Sequence, residues 1–204
     1  MQVRGARQLG TVLTPSESSR HHVVKEFQLD PSRVVSVPLG VDQIAFHHDP
    51  TIKRAPQRIV TTASADIPLK GLRYLIDAYA ILLSAYPELQ LRVIGKLRDG
   101  EAKDLIEAHG LSDRIEFRSG LSREDLAMEL QTATLLVSPS LYEGFGLPAA
   151  EAMACGTPVI VTDGGALPEV AGDAAIVVPK AAAHSLANAI GNLLEDPSKR
   201  QRVG

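Results

Sequence analysis

The sequence predicts an α/β protein built on a doubly wound parallel sheet, and three observations predict it. From Arg58 to the C-terminus, short apolar runs alternate with amphipathic or capped segments, the pattern of strands joined by crossover helices. The runs are four or five residues long, the length of buried strands. One stretch, Ser138 to Gly156, joins such a run to a glycine loop and then a proline-started helix.

In chain order, Gly10 to Thr14 reads as a short strand. Ser16 caps a helix to about Phe27, with Glu17 in its first turn. Arg33 to Val37 is a second strand, stopped by Pro38, and Leu39-Gly40-Val41-Asp42 follows as a turn. A single helix between two strands is too small to fold alone. The next segment, 46–57, is polar and proline-bearing and reads as an interdomain linker. The large domain spans 58–204. Its strands are Arg58 to Thr62, Leu91 to Ile94, Arg114 to Phe117, Ala133 to Val137, Pro158 to Thr162 and Ala175 to Val178.

Between the strands, Leu72, Leu75, Ile76, Tyr79 and Leu83 form a core stripe at helical spacing. Asp99 caps a helix to about His109, stopped by Gly110. Ser122 with Asp125 makes a capping box with Asp in place of Glu. Pro148 suits the first turn of a helix and Gly156 the position past its end. Further helices start near Leu167 and Ala183, the latter running to Leu194.

Ser138 to Gly156 carries the chemistry. The first amides of a helix lack partners, and the positive end of the dipole faces whatever lies before it, so a loop entering a helix is an anion site. Gly144 and Gly146 let the backbone approach a ligand closely. Glu143 on the loop and Glu151 one turn into the helix flank the site. Singly, each reads as a solvated loop acid or a first-turn charge; together they read as a site.

Composition excludes other classes. The chain has 204 residues, with 24 acidic and 21 basic, a formal charge of −3. No basic field for nucleic acid or an anionic membrane follows from that. Aromatics are 4% and Trp is absent, which argues against a sugar platform of stacked rings. Cys155 is the only cysteine, so there is no internal disulfide, and a reducing, cytoplasmic location fits. No apolar run reaches the roughly 18 residues of a membrane span. His47, His48 and Asp49 lie adjacent with no ligand-spaced partner, and no Asp-x-Asp occurs, so no metal site is expected. The first strand of the large domain is not followed by Gly-x-Gly-x-x-Gly, which removes dinucleotide oxidoreduction.

Glu143, Gly144-Phe145-Gly146-Leu147 and Glu151, followed by Ala152-Met153-Ala154-Cys155-Gly156-Thr157-Pro158-Val159, resemble the donor-site signature of a known family. That family is the retaining nucleotide-sugar glycosyltransferases, family 4 (group 1). The resemblance covers about Gly10 to the C-terminus. It implies the GT-B fold of two Rossmann-like domains. Residues 58–204 would then be the donor-binding domain, and 1–45 the last strand–helix–strand of an acceptor domain, ending in its Pro-x-Gly-Val-Asp hinge. On that reading the chain is a fragment of a longer enzyme and inactive alone.

The resemblance also implies roles. Lys70, in the family's Lys-Gly position, would contact the donor diphosphate together with the amides of Gly146 and Leu147. Glu143 would stabilise the sugar ring or contact its hydroxyls, and Glu151 would accept hydrogen bonds from the ribose. Gly144 and the backbone of Phe145 would face the sugar, with the Phe145 ring in the core. Ser64 would line the donor site, and Leu121 would border the base. No cofactor is implied: the donor, a UDP- or GDP-sugar, is a substrate, and the sequence leaves the acceptor open. Most members carry an Arg five residues before the lysine, where this chain has Ala65. Losing such a contact costs about 1.5–3 kcal/mol unless Lys96, Arg98 or Arg118 replaces it.

His21, His22, His109 and His184 read as surface or structural residues, and Glu169 as an early-helix acid. Two rivals stand beside sugar transfer. One is a nucleotide-binding or scaffolding module without turnover; the other is an epimerase or phosphorylase of the same fold, with different loop residues. The exposed strand edges of 1–45 also suggest self-association.

Overall fold

The computed structural model of the protein describes residues 2–63 and 67–204. Ser64 and Ala65, singled out above, lie outside them. The first unit runs α1 (Gln2–Gln8), β1 (Val12–Thr14), α2 (Glu17–Phe27), a 3-10 turn (Pro31–Arg33) and β2 (Val34–Ser36). Ser16 is extended and its hydroxyl accepts from Ser19 N, the expected cap. β1 and β2 pair in parallel, Leu13 opposite Val35, and both of these side chains are exposed. Helix α1 is not anticipated from sequence, because it is short and offers no apolar stripe.

The large sheet holds β3 (Arg58–Thr62), β4 (Gln90–Ile94), β5 (Ile115–Arg118), β6 (Leu135–Ser138), β7 (Val159–Thr162) and β8 (Ile176–Val178). All pairings are parallel, in the order β5-β4-β3-β6-β7-β8. The connections are α3 (Leu72–Leu82), α4 (Glu101–Ala108), α5 (Arg123–Thr132), α6 (Leu147–Ala154) and α7 (Leu167–Ala171). Beyond β8 come α8 (Ala183–Glu195) and α9 (Pro197–Arg202).

Alternation along each strand sends side chains to two cores. Ile59, Leu91, Val93, Leu135, Val137 and Ile160 pack with α3, α4 and α8. Val60, Leu136, Val159 and Val161 pack with α5, α6 and α7. Tyr79 is fully buried, and its hydroxyl donates to Leu89 O at 2.7 Å and Arg114 O at 3.0 Å. The Ser122–Asp125 capping box forms in full. Asp99 is not the cap of α4. Gly100 takes that position with φ 139°, and Asp99 instead pairs with Lys103 at 2.8 Å.

The second face of β4 and β5 is charged. Arg92 bonds Glu116 and Glu129, and Arg118 bonds the same two acids at 2.6 and 2.5 Å. Charged side chains on the outermost strand β5 disfavour its pairing with another strand.

Segment 46–57 is packed against the large domain. Phe46 is buried in the second core. Arg54 is half-buried, and its guanidinium donates to Gln131 O, Ala133 O, Thr157 Oγ1 and Gly156 O at 2.6–3.2 Å. It thereby satisfies carbonyls that α5 and α6 leave open at their C-termini, where the dipole favours a cation. Arg54→Ala strands these acceptors; a loss of about 3 kcal/mol is expected. Thermal denaturation should show this as a midpoint lower by roughly 6–12 °C.

Candidate functional site

Strand order reverses between β3 and β6, so the connections after these neighbours leave on opposite faces and open a crevice beyond their carboxyl ends. Residues 67–71 follow β3, and 139–146 follow β6. Leu141 N donates to Leu69 O at 2.8 Å across the crevice. Gly71 makes that approach feasible. It has φ 64°, and a Cβ there would sit 2.0 Å from Pro139 O. Lys70 stands on the 3-10 turn Pro68–Lys70 just before it, so its amine reaches over the second loop.

Lys70 Nζ lies 2.6 Å from Glu143 Oε1, and the Ser140 hydroxyl donates to the same oxygen at 2.8 Å. Oε2 of Glu143 bonds nothing among the described residues. Both side chains of the pair are largely buried.

On its far side the loop is held by 163–166. Glu143 N donates to Gly164 O at 3.3 Å, Ala166 N donates to Glu143 O at 2.9 Å, and the Thr162 hydroxyl donates to Ser140 O. A Cβ on Gly165 would meet Glu143 O at 2.3 Å. The double glycine after β7 is the sequence signal for this packing, although sequence assigned that loop no role.

Gly146 caps α6 and spends its carbonyl on Ala149 N and Ala150 N. The amides of Gly144, Phe145, Gly146 and Leu147 donate to nothing among the described residues. The loop therefore presents open N–H groups at a helix start, beside the Lys70–Glu143 pair. Phe145 does not enter either core. It is half-buried on the loop that leads into α6.

Glu151 is half-buried on α6, and its carboxylate has no hydrogen bond or ion pair among the described residues. Burial raises its carboxyl above the usual 4.5, and the Arg123 guanidinium opposes this from a distance. Arg123 itself pairs with Asp42 of the hinge turn at 3.1 Å.

Leu121 lies half-buried on the loop after β5, three strands from β6 and so roughly 14 Å along the edge. Arg118 is committed to Glu116 and Glu129 and is no spare cation for the crevice. Lys96 stands exposed on the loop after β4. A cavity of about 230 Å³ lies between these loops, lined by Ile67, Pro68, Arg73, Asp99 and Glu101, beside the crevice rather than over Glu143. No cluster of three or more His, Cys, Asp or Glu able to hold a metal ion occurs among the described residues.

Glu169 is the early-helix acid expected, in the first turn of α7. Its carboxylate also crosses to the amides of Glu17 and Ser18 on α2. The partner lies 152 residues away, so no local pattern marks it.

The family described as "Glycosyl transferases group 1" matches residues 43–204. The chain is 42% identical over 208 residues to the MMP alpha-(1->4)-mannosyltransferase of Mycolicibacterium hassiacum, covering all of this chain and 50% of that protein. Sucrose-phosphate synthase from Thermosynechococcus elongatus superposes with a TM-score of 0.82 at 26% identity, over 99% of this chain and 53% of that one. Anabaena HepE in complex with UDP-glucose gives 0.83 at 21% identity, over 98% and 58%, a likeness of fold. The chain thus spans about half the length of these proteins.

The Glu151 carboxyl yields a pH prediction. A raised carboxyl makes its ionised form costly to the fold. That cost is absent below the ordinary value of 4.5 and complete above the raised folded value. Glu151→Gln should therefore raise the thermal midpoint at pH 7 and leave it unchanged at pH 4. Melting both proteins at the two pH values checks the sign.

Proposed function

The chain belongs to the glycosyl transferases of group 1, and from that premise we propose that it is the donor-binding part of an enzyme that moves a sugar from a nucleoside-diphosphate sugar to an acceptor, with retention. One observation carries the reading. The open amides of 144–147 sit at the switch point of a parallel sheet, beside Lys70, with Glu143 and Glu151 on either side. The complex of HepE with UDP-glucose, on the same fold, supports a donor of that class.

In this proposal the nucleotide lies along the sheet edge. Its base is near Leu121, its ribose hydroxyls donate to the unpartnered Glu151, and its diphosphate rests on the amides before α6. Lys70 transfers its amine from Glu143 to the phosphate. As the bond to the sugar breaks, negative charge gathers on the diphosphate, where Lys70 and preorganised amides stabilise it. Positive charge gathers on the ring beside Glu143, whose Oε2 is open. None of these steps requires a metal ion. No helix among the described residues is long and apolar enough to cross a membrane; we place the enzyme in the cytoplasm.

A second reading, a nucleotide-binding module without turnover, is favoured by the Lys70–Glu143 pair, which engages both groups here. Calorimetry of the chain with UDP and with GDP tests the donor site. One of them should bind, and Lys70→Ala should weaken it about ten- to hundred-fold, the value of a charge-assisted phosphate contact. No heat with either nucleotide at millimolar concentration sinks the proposal. Nucleotide binding without transfer by the full-length enzyme would select the module.

A further inference from the structure

The donor loop has a third neighbour besides the loops after β3 and β7. The hydroxyls of Ser16 and Ser19, at the start of α2, donate to Gly144 O at 2.7 and 2.8 Å. Both serines are buried. The same helix start is gripped from the large domain: Glu17 N and Ser18 N donate to Glu169 Oε1 and Oε2 at 2.9 and 3.0 Å. Glu169 belongs to α7, directly after the 164–166 backbone that holds Glu143. The contacts therefore close a ring, from α2 through Gly144 and Glu143 to Ala166, Glu169 and back to α2.

A peptide unit is planar and trans, so its C=O and the following N–H point in opposite directions. Fixing Gly144 O toward α2 aims the Phe145 N–H away from α2. Two hydroxyl donors on that carbonyl also polarise the unit and make its N–H a stronger donor. Glu169 meanwhile fills the two first free amides of α2, so that helix start does not compete for an anion.

We propose that Ser16, Ser19 and Glu169 are positioning residues, through which the first 45 residues set the direction and strength of the Phe145 amide toward the donor's diphosphate. This rests on the donor-site reading above. A shift of the 1–45 unit relative to the sheet would release Gly144 and loosen the grip, so the orientation of that unit is coupled to donor affinity.

Ser19 gives the clean test, because its hydroxyl bonds only Gly144 O, whereas Ser16 also caps α2. The 204-residue chain, Ser19→Ala, Ser19→Thr and Glu169→Gln are titrated calorimetrically with the nucleoside diphosphate that binds and with its parent nucleoside. The Phe145 amide is followed by NMR. Ser19→Ala should weaken the diphosphate about five-fold, one hydrogen bond's worth, leave the nucleoside unchanged and move the Phe145 resonance. Ser19→Thr should restore affinity, and Glu169→Gln should weaken the diphosphate in the same selective way. Equal diphosphate affinity in Ser19→Ala and the parent overturns the inference and leaves the donor site standing. So does an equal loss for nucleoside and diphosphate. A parent chain that binds no nucleotide overturns both.

Discussion

The constraint on which the rest depends is the close approach of three loops at the point where the sheet changes direction. The loop 139–146 is touched by 67–71 on one side and 163–166 on the other, at distances that exclude even a Cβ at Gly71 and Gly165. Contacts this tight leave the loop one conformation. Its Glu143 carboxylate therefore meets Lys70, although the two residues are 73 positions apart in the chain. The sheet itself is the generic part of this protein. The specific part is the set of small residues that let three connections share one edge.

The Lys70–Glu143 pair is better understood as a held arrangement than as a source of stability. A partly buried ion pair gains Coulomb energy but loses hydration of both groups, and the two nearly cancel. Its value lies in what happens when one partner leaves. An anion arriving at the amides before α6 draws Lys70 to itself. Glu143 then keeps only the Ser140 hydroxyl on Oε1. In the reaction we propose, positive charge on the sugar ring replaces the lost cation, and it does so most fully in the transition state. An interaction weak in the bound ground state and strong at the top of the barrier is the kind that accelerates a reaction.

Much of this was legible in sequence, for identifiable reasons. Strands such as Arg58–Thr62 and caps such as Ser16 and Ser122 are local signals, and the structure carries them within a residue or two. The strand–loop–helix around Glu143 was legible for the same reason. What escaped depends on partners far along the chain. Asp99 looked like a cap because its type suits one, but Gly100 could adopt the dihedral that takes its place. Arg118 looked available until Glu129, from the following helix, claimed it. The resemblance placed the Phe145 ring in the core, and the structure leaves it half-buried and in neither core cluster. Arg54, and the reach of Glu169 to α2, gave no signal, because each completes helix ends that only tertiary packing brings near.

The two flanking acids show why position within one short stretch can divide labour. Glu143 and Glu151 are separated by seven residues, yet their surroundings are opposite. Glu143 has a cation and a hydroxyl on one oxygen, so its charge is balanced and its geometry is fixed. Glu151 has neither, and burial holds its carboxyl above the ordinary value. A balanced carboxylate suits a group whose position must hold until charge develops beside it. An unbalanced, desolvated one gains most from neutral donors, because each hydroxyl that reaches it restores solvation already lost in folding. The helix start between them separates the two environments. It places open amides next to the paired acid, and it turns the unpaired one toward α5 and the hinge turn, where Arg123 answers Asp42.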